Sequence, residues 1–262
     1  MHRPLVRQWL PLVFMLALML VSGAHTASAV SLVTNGSFEG YTGPAPAAGD
    51  NAVQVSIGGG LTGWSNTNIG EALVFPSWYS TGTVFACCGG VGLAGYPTFP
   101  QSSPDGGNFI LSDGNFMNSP LTQTITGLNP GDSYLLTFYQ ALVQDIQPYP
   151  SSSYFITVPG PVTGGWQVTL GTNTLFSPSM AANGAIPTFS PWTQQSMVFT
   201  AQNATEILSF FSFGTGDPPL VGLDGVSLVA ADTGVPEPTG LLLIGAGVVL
   251  AARGIKVRRR RA

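Results

Sequence analysis

The chain has 262 residues, 44% of them hydrophobic and only 8% charged, with a formal net charge of −4. Every Lys, Arg and His lies outside residues 30–234, which hold eleven of the twelve acids and so carry a formal charge of −11. That distribution excludes a Ser-His-Asp triad, a Cys-His pair, a Lys Schiff base and a His-ligated zinc from this stretch, and it denies nucleic acid and anionic lipid the cations that phosphate binding needs.

In chain order, Arg3 and Arg7 precede an apolar run from Leu10 to Val21, and small residues follow, ending in Ala27-Ser28-Ala29. This three-part layout predicts a secretory signal peptide over 1–29, removed by signal peptidase to leave Val30 as the mature N-terminus. Helical periodicity is missing from 30–234. Short alternating segments stand in its place: Val53 to Ile57, Leu121 to Ile125, Tyr134 to Ala141, Trp166 to Leu170, Gln195 to Ala201 and Ile207 to Phe213. They read as strands, with turn chemistry such as Asn129-Pro130-Gly131-Asp132 between them. The expected fold is all-β, a single jelly-roll sandwich over 30–234, with Pro76 to Asp105 a long loop insertion. Trp64 and Trp192 begin expected strands and are assigned to the core.

That long loop carries Cys87-Cys88 and three aromatic residues, Trp78, Tyr79 and Tyr96. An exported protein meets oxidising conditions, so the cysteines admit a strained vicinal disulfide or two separate thiols. No base is at hand to activate either thiol. The aromatics form a candidate glycan-binding platform, since stacking on sugar faces needs exposed rings. Asn35-Gly-Ser and Asn203-Ala-Thr match the glycosylation acceptor pattern.

At the C-terminus, Val235-Pro236-Glu237-Pro238 leads into an apolar run that can be extended over 239–257, and basic residues gather at Arg253, Lys256, Arg258, Arg259, Arg260 and Arg261. A terminal basic block obeys the positive-inside rule, and Arg253 and Lys256 can snorkel, so the run reads as a membrane helix with a cytoplasmic tail over 258–261. This ordered set over 235–262 resembles the PEP-CTERM sorting signal of Gram-negative bacteria. The resemblance implies a transient membrane anchor that an exosortase recognises at Pro-Glu-Pro and removes. It also implies a protein bound for the cell surface or extracellular matrix, associated with exopolysaccharide, biofilm and floc formation.

Within 30–234, Leu32-Val-Thr-Asn-Gly-Ser-Phe-Glu39, Gly63-Trp64, Pro104-Asp-Gly-Gly-Asn-Phe109, Leu121 to Tyr134 and Leu223-Asp-Gly-Val-Ser-Leu228 follow one another in an order similar to galactose-binding-domain-like jelly rolls, including carbohydrate-binding modules. The resemblance implies that the first and last strands lie side by side, bringing Glu39 near Asp224. It also implies a structural Ca²⁺ there, with these two carboxylates as ligands, completed by backbone carbonyls such as those near Ser37. Where relatives often carry a second Asp, this chain has Gly225.

The expected function is therefore a non-enzymatic structural or adhesive component of an exopolysaccharide matrix. A carbohydrate-binding module recognising an exopolysaccharide is the alternative. Acid/base work by two carboxylates, as in glycoside hydrolysis, is the enzymatic option that the census leaves.

Overall fold

The computed structural model describes residues 30–45, 52–55, 60–67, 71–74, 83–84, 91–92, 103–115, 119–144, 161–182, 189–216 and 219–231. The chain divides into two compact units, Met1–Val30 and Ser31–Ala262, and the second holds all the described strands. In order these are β1 (Ala52–Gln54), β2 (Glu71–Val74), β3 (Thr83–Val84), β4 (Val91–Gly92), β5 (Phe109–Asp113), β6 (Leu121–Thr126) and β7 (Ser133–Gln144). There follow β8 (Val162–Leu170), β9 (Asn173–Phe176), β10 (Met180–Ala182), β11 (Phe189–Thr200), β12 (Thr205–Thr215) and β13 (Pro219–Ala230).

Two sheets form a sandwich. The first has six strands in the order β1-β2-β5-β13-β7-β11, and the second has five, β10-β8-β12-β6 with β9 also on β8. Neighbours pair antiparallel throughout. The period-two alternation explains the layering: in β6 and β12 every second side chain is buried, and Leu121, Ile125, Leu208 and Phe210 meet Leu136, Phe138, Leu223 and Leu228 of the facing sheet. Phe210 lies at the centre, edge-on to Phe138 at 5.2 Å, Trp166 at 6.0 Å and Trp64 at 6.2 Å. The Asn129–Asp132 turn closes as its composition predicts, with the Asp132 amide donating to the Asn129 carbonyl at 3.1 Å.

The all-β expectation holds, and among the described residues no helix is long and apolar enough to cross a membrane. The expected signal peptide, the Pro-Glu-Pro motif, the helix over 239–257 and the Arg tail lie outside the described residues. Two details differ from the reading of the sequence. The long insertion is not wholly irregular, since β3 and β4 pair as a short ribbon within it. Trp192 is not between the sheets. The β11–β7 register slips between Ser190 and Thr193, a bulge that re-aims the intervening side chains, and Trp192 packs edge-on to Phe109 at 5.3 Å outside the central core cluster.

Candidate metal centre

Three segments remote in sequence converge on Asp224. The first is β13 itself. Its pairing with β7 runs regularly to Asp224 opposite Tyr139, breaks, and resumes at Ser227 opposite Thr137. Gly225 sits at the break with φ of +58, and a Cβ there would stand 2.8 Å from the Tyr139 ring and 3.2 Å from the Asp105 Cβ. A left-handed glycine at a slipped register is the geometry of a glycine-led bulge. Beyond it Val226 is in the hydrophobic core cluster. Gly225 is therefore what the backbone requires at this position.

The second segment is the N-terminal stretch. The Leu32 amide donates to the Leu228 carbonyl at 2.8 Å, and the Val226 amide donates to the Gly36 carbonyl at 2.9 Å, so 32–36 lies along the last strand. A turn follows, held by Asn35. Its Oδ1 accepts from the Gly40 amide at 2.7 Å, and its Nδ2 donates to the carbonyls of Gly40 (3.1 Å) and Thr62 (3.0 Å). The Trp64 indole donates to the Asn35 carbonyl at 2.9 Å, and Phe38 packs 5.5 Å from the Trp64 ring. The Asn-Gly-Ser-Phe and Gly-Trp pieces thus brace one another, Trp64 is in the core as expected, and Glu39 is presented at the end of the turn.

The third segment is the loop 103–108. The Ser103 hydroxyl donates to Oδ2 of Asp224 and accepts from the Asp105 amide at 3.1 Å. The Asn108 amide donates to Oε1 of Glu39 at 2.5 Å. One loop therefore joins both carboxylates named from the sequence. It adds a third, Asp105, and a hydroxyl, Ser103, which sequence reasoning did not nominate. The Pro104-Asp-Gly-Gly signal was visible as a turn; nothing local showed that the turn would close over Asp224.

The electrostatics follow from this enclosure. Asp224 is 0% exposed, whereas Glu39 and Asp105 are exposed at the rim. Burial pushes the Asp224 carboxyl up to about 8; the charges of Asp105 and Glu39 add to the rise, and the bonds from Ser103 and the Gly225 amide oppose it. No Lys, Arg or His exists in 30–234 to supply a counter-charge. The donors present, carboxylate and hydroxyl oxygens with carbonyls nearby, are those a hard divalent cation takes. Among the described residues no group of three or more His, Cys, Asp or Glu is placed to hold a metal ion. In donor type alone Asp224, Asp105 and Glu39 suit Ca²⁺, which would have to draw them together on binding and would supply the positive charge that the site lacks.

The other candidate sites fall elsewhere. Trp78, Tyr79, Tyr96, Cys87 and Cys88 lie outside the described residues. The Asn35 acceptor pattern is structural, since its amide is committed on both sides to the turn.

No protein-family description matches the chain. No curated protein is significantly similar in sequence. Solved structures of similar fold include a family 61 carbohydrate-binding module in complex with beta-1,4-galactotriose, at 12% identity over 78% of this chain and 100% of that one, with a TM-score of 0.41. A xylan-binding domain from Paenibacillus barcinonensis is 10% identical over 78% of this chain and 97% of its own, with a TM-score of 0.32. A cleaved adhesin domain of Lys-gingipain from Porphyromonas gingivalis is 14% identical over 63% of this chain and 94% of its own, with a TM-score of 0.34.

Proposed function

We propose that the protein is an exported, non-enzymatic structural or adhesive component of a bacterial surface or exopolysaccharide matrix, sorted through its C-terminal signal and clamped by a structural Ca²⁺. One observation carries this reading: the fully buried Asp224 sits where the first segment, the 103–108 loop and the last strand meet, with two further acids beside it and no cation anywhere in 30–234. A carboxylate placed this way suits a clamp. It is poorly placed for glycoside hydrolysis, which needs two carboxyl groups flanking an accessible bond. A dedicated carbohydrate-binding module is the second reading, favoured by the exposed Phe176 ring on the outer face of the five-stranded sheet.

Two measurements test the proposal. Mass spectrometry of matrix material from the native host should find the chain beginning at Val30 and lacking the Arg-rich tail; an intact tail on the surface form overturns the sorting reading. Melting of the full-length chain should rise with millimolar calcium beyond matched sodium chloride, by about 2.7 kcal/mol of stability at a hundred times the dissociation constant. Glu39→Gln and Asp224→Asn should each abolish that difference while keeping the salt response. Identical melting in calcium and chelator would remove the clamp.

A further inference from the structure

Among the described strands the two sheets of the sandwich have four edges, and three of them are blunted. β1 has three residues, and the free flank of β8 is lined by β9 and β10, of four and three. The free side of β6 is taken by Ser65, whose amide donates to the Thr122 carbonyl at 3.0 Å and whose carbonyl accepts from the Thr122 amide at 2.7 Å. Short strands and covered backbone keep sheet edges from pairing with other chains. β11 is the exception. It has twelve residues and no charged side chain, and only its first part carries protective devices, Pro191 and the slip between Ser190 and Thr193. From Thr193 to Thr200 its register against β7 is unbroken.

The hydrogen bonds at the end of β11 show which groups this edge offers. Ala201 turns both of its backbone groups toward the start of β7: its amide donates to the Asp132 carbonyl at 3.0 Å, and its carbonyl accepts from the Gly131 amide at 2.7 Å. Such groups alternate sides along an antiparallel strand, so Gln194, Ser196, Val198 and Thr200 turn theirs away from β7. The Thr200 carbonyl agrees, since it accepts from the Asn173 side chain at 2.9 Å. All four side chains are exposed, Val198 by 57%. Gln194, Ser196 and Val198 are thus left with an amide and a carbonyl each, between the bulge at one end and the Asn173 cap at the other.

We infer that this edge pairs with the same edge of a second copy of the chain, β11 antiparallel to β11 about a two-fold axis through Ser196. A backbone edge complements itself: Ser196 bonds its counterpart, and Gln194 and Val198 of each copy bond Val198 and Gln194 of the other, each pair through both backbone groups. The ends of the window favour this occupant. A longer regular strand from another protein would run on into Pro191 at one end and Asn173 at the other, whereas a second β11 is interrupted at the same points. Charge permits it, although each copy carries eleven acids over 30–234. Neither β7 nor β11 has an acid, and the described acids lie on β2, β5, β12 and β13, beside Asp224, and in the turn before β7. β13 is two strand spacings from the edge, about 10 Å, which is the distance over which ordinary salt screens.

The test is crosslinking of the full-length chain, carrying Cys87→Ser and Cys88→Ser, with a short bifunctional maleimide. Ser196→Cys should give a covalent dimer, because facing Cα atoms on such an axis are about 5.5 Å apart. Val198→Cys faces Gln194 of the other copy and lies about 14 Å from its own counterpart, so it should not. Ile207→Cys, on the outer face of the other sheet, should not either. Apolar terminal segments can also bring copies together, but only pairing at this edge makes the yield depend on position in this way. Gln194→Pro added to Ser196→Cys takes one edge amide from each copy and leaves the ladder with β7 in place; it should lower the yield about tenfold. Val198→Lys, a charge on the same edge with the backbone intact, should lower it as well, and unchanged melting shows that both variants fold. A Ser196→Cys yield no greater than that of Ile207→Cys overturns the inference, as does a yield that Gln194→Pro and Val198→Lys both leave unchanged. Val198→Cys crosslinking as well as Ser196→Cys overturns the axis. On host cells, a Ser196→Cys product with a different protein and none with itself puts another strand on the edge and overturns the second copy.

Discussion

Among the described residues two carboxylates are buried, and their surroundings differ in an instructive way. Glu206 is 4% exposed, and its Oε1 accepts from the amides of Gln202 at 2.8 Å and Asn203 at 2.9 Å, both in the turn before β12. Asp224 is 0% exposed, and it takes one bond from its own neighbour's amide and one from a hydroxyl 121 residues away. Each lies beside a left-handed glycine: Gly171, with φ of +60, approaches the Glu206 carboxyl, and Gly225, with φ of +58, follows Asp224. The difference lies in the company they keep. Glu206 is held by local backbone dipoles, and its other oxygen, Oε2, is left without a partner. Asp224 is crowded by Asp105 and Glu39, which add to the cost of its charge. The first arrangement completes a turn; the second leaves a buried carboxyl whose charge its neighbours oppose.

The largest expected effect comes from breaking the geometry of the Asp224 site. Gly225→Val forces a β-branched residue to positive φ and drives its Cβ into the Tyr139 ring, 2.8 Å away. Urea unfolding should show a loss of about 3 kcal/mol or more. A loss under 1 kcal/mol would show that the bulge does not fix Asp224.

The next effect separates the two carboxylates by pH. The Asp224 carboxyl titrates at about 8 in the folded chain, well above its ordinary value of 3.8. In chelator the folded state therefore holds a proton that the unfolded state has released. The stability linked to this group is complete below pH of about 4 and is lost as pH rises toward 8. Between pH 5 and pH 7 the wild type should lose about 2.7 kcal/mol relative to Asp224→Asn, one proton's worth per pH unit. Calcium takes the ionised form, so its stabilising effect should grow over the same interval. A flat difference between wild type and Asp224→Asn in chelator would refute the shift.

The smallest effect is at Glu206. Glu206→Gln keeps an oxygen for the two turn amides and loses only the charge assistance, which costs about 1 kcal/mol. That loss should be the same in calcium and in chelator. Any calcium dependence would mean that the contrast between the two sites is wrong.

How much of this was legible in advance follows from the range of each signal. Leu121 to Ile125, Trp166 to Leu170 and Ile207 to Phe213 alternate so plainly that their strands were expected from the sequence, because a half-buried strand writes its burial into every second residue. The ribbon of β3 and β4 was missed, since strands of two residues are too short to carry a period. The side of the sheet that Trp192 takes was missed as well, because a bulge shifts alternation by one and leaves no mark in composition.

The sequence by itself determined the all-β class and the absence of cations from 30–234, and through resemblance it led to the expectation that Glu39 lies near Asp224. Those are properties of composition, of local period and of ordered motifs, which need no knowledge of what touches what. Only the tertiary structure decided that Asp224 is wholly buried, that Ser103 and Asp105 close over it, and that Gly225 is there to turn the strand. It alone set Thr122, Ser209, Thr169 and Thr174 in one row, although 52 residues separate the first from the last. A carboxylate's charge cost and a face's composition are sums over neighbours in space, and an antiparallel sandwich draws those neighbours from strands far apart in the chain.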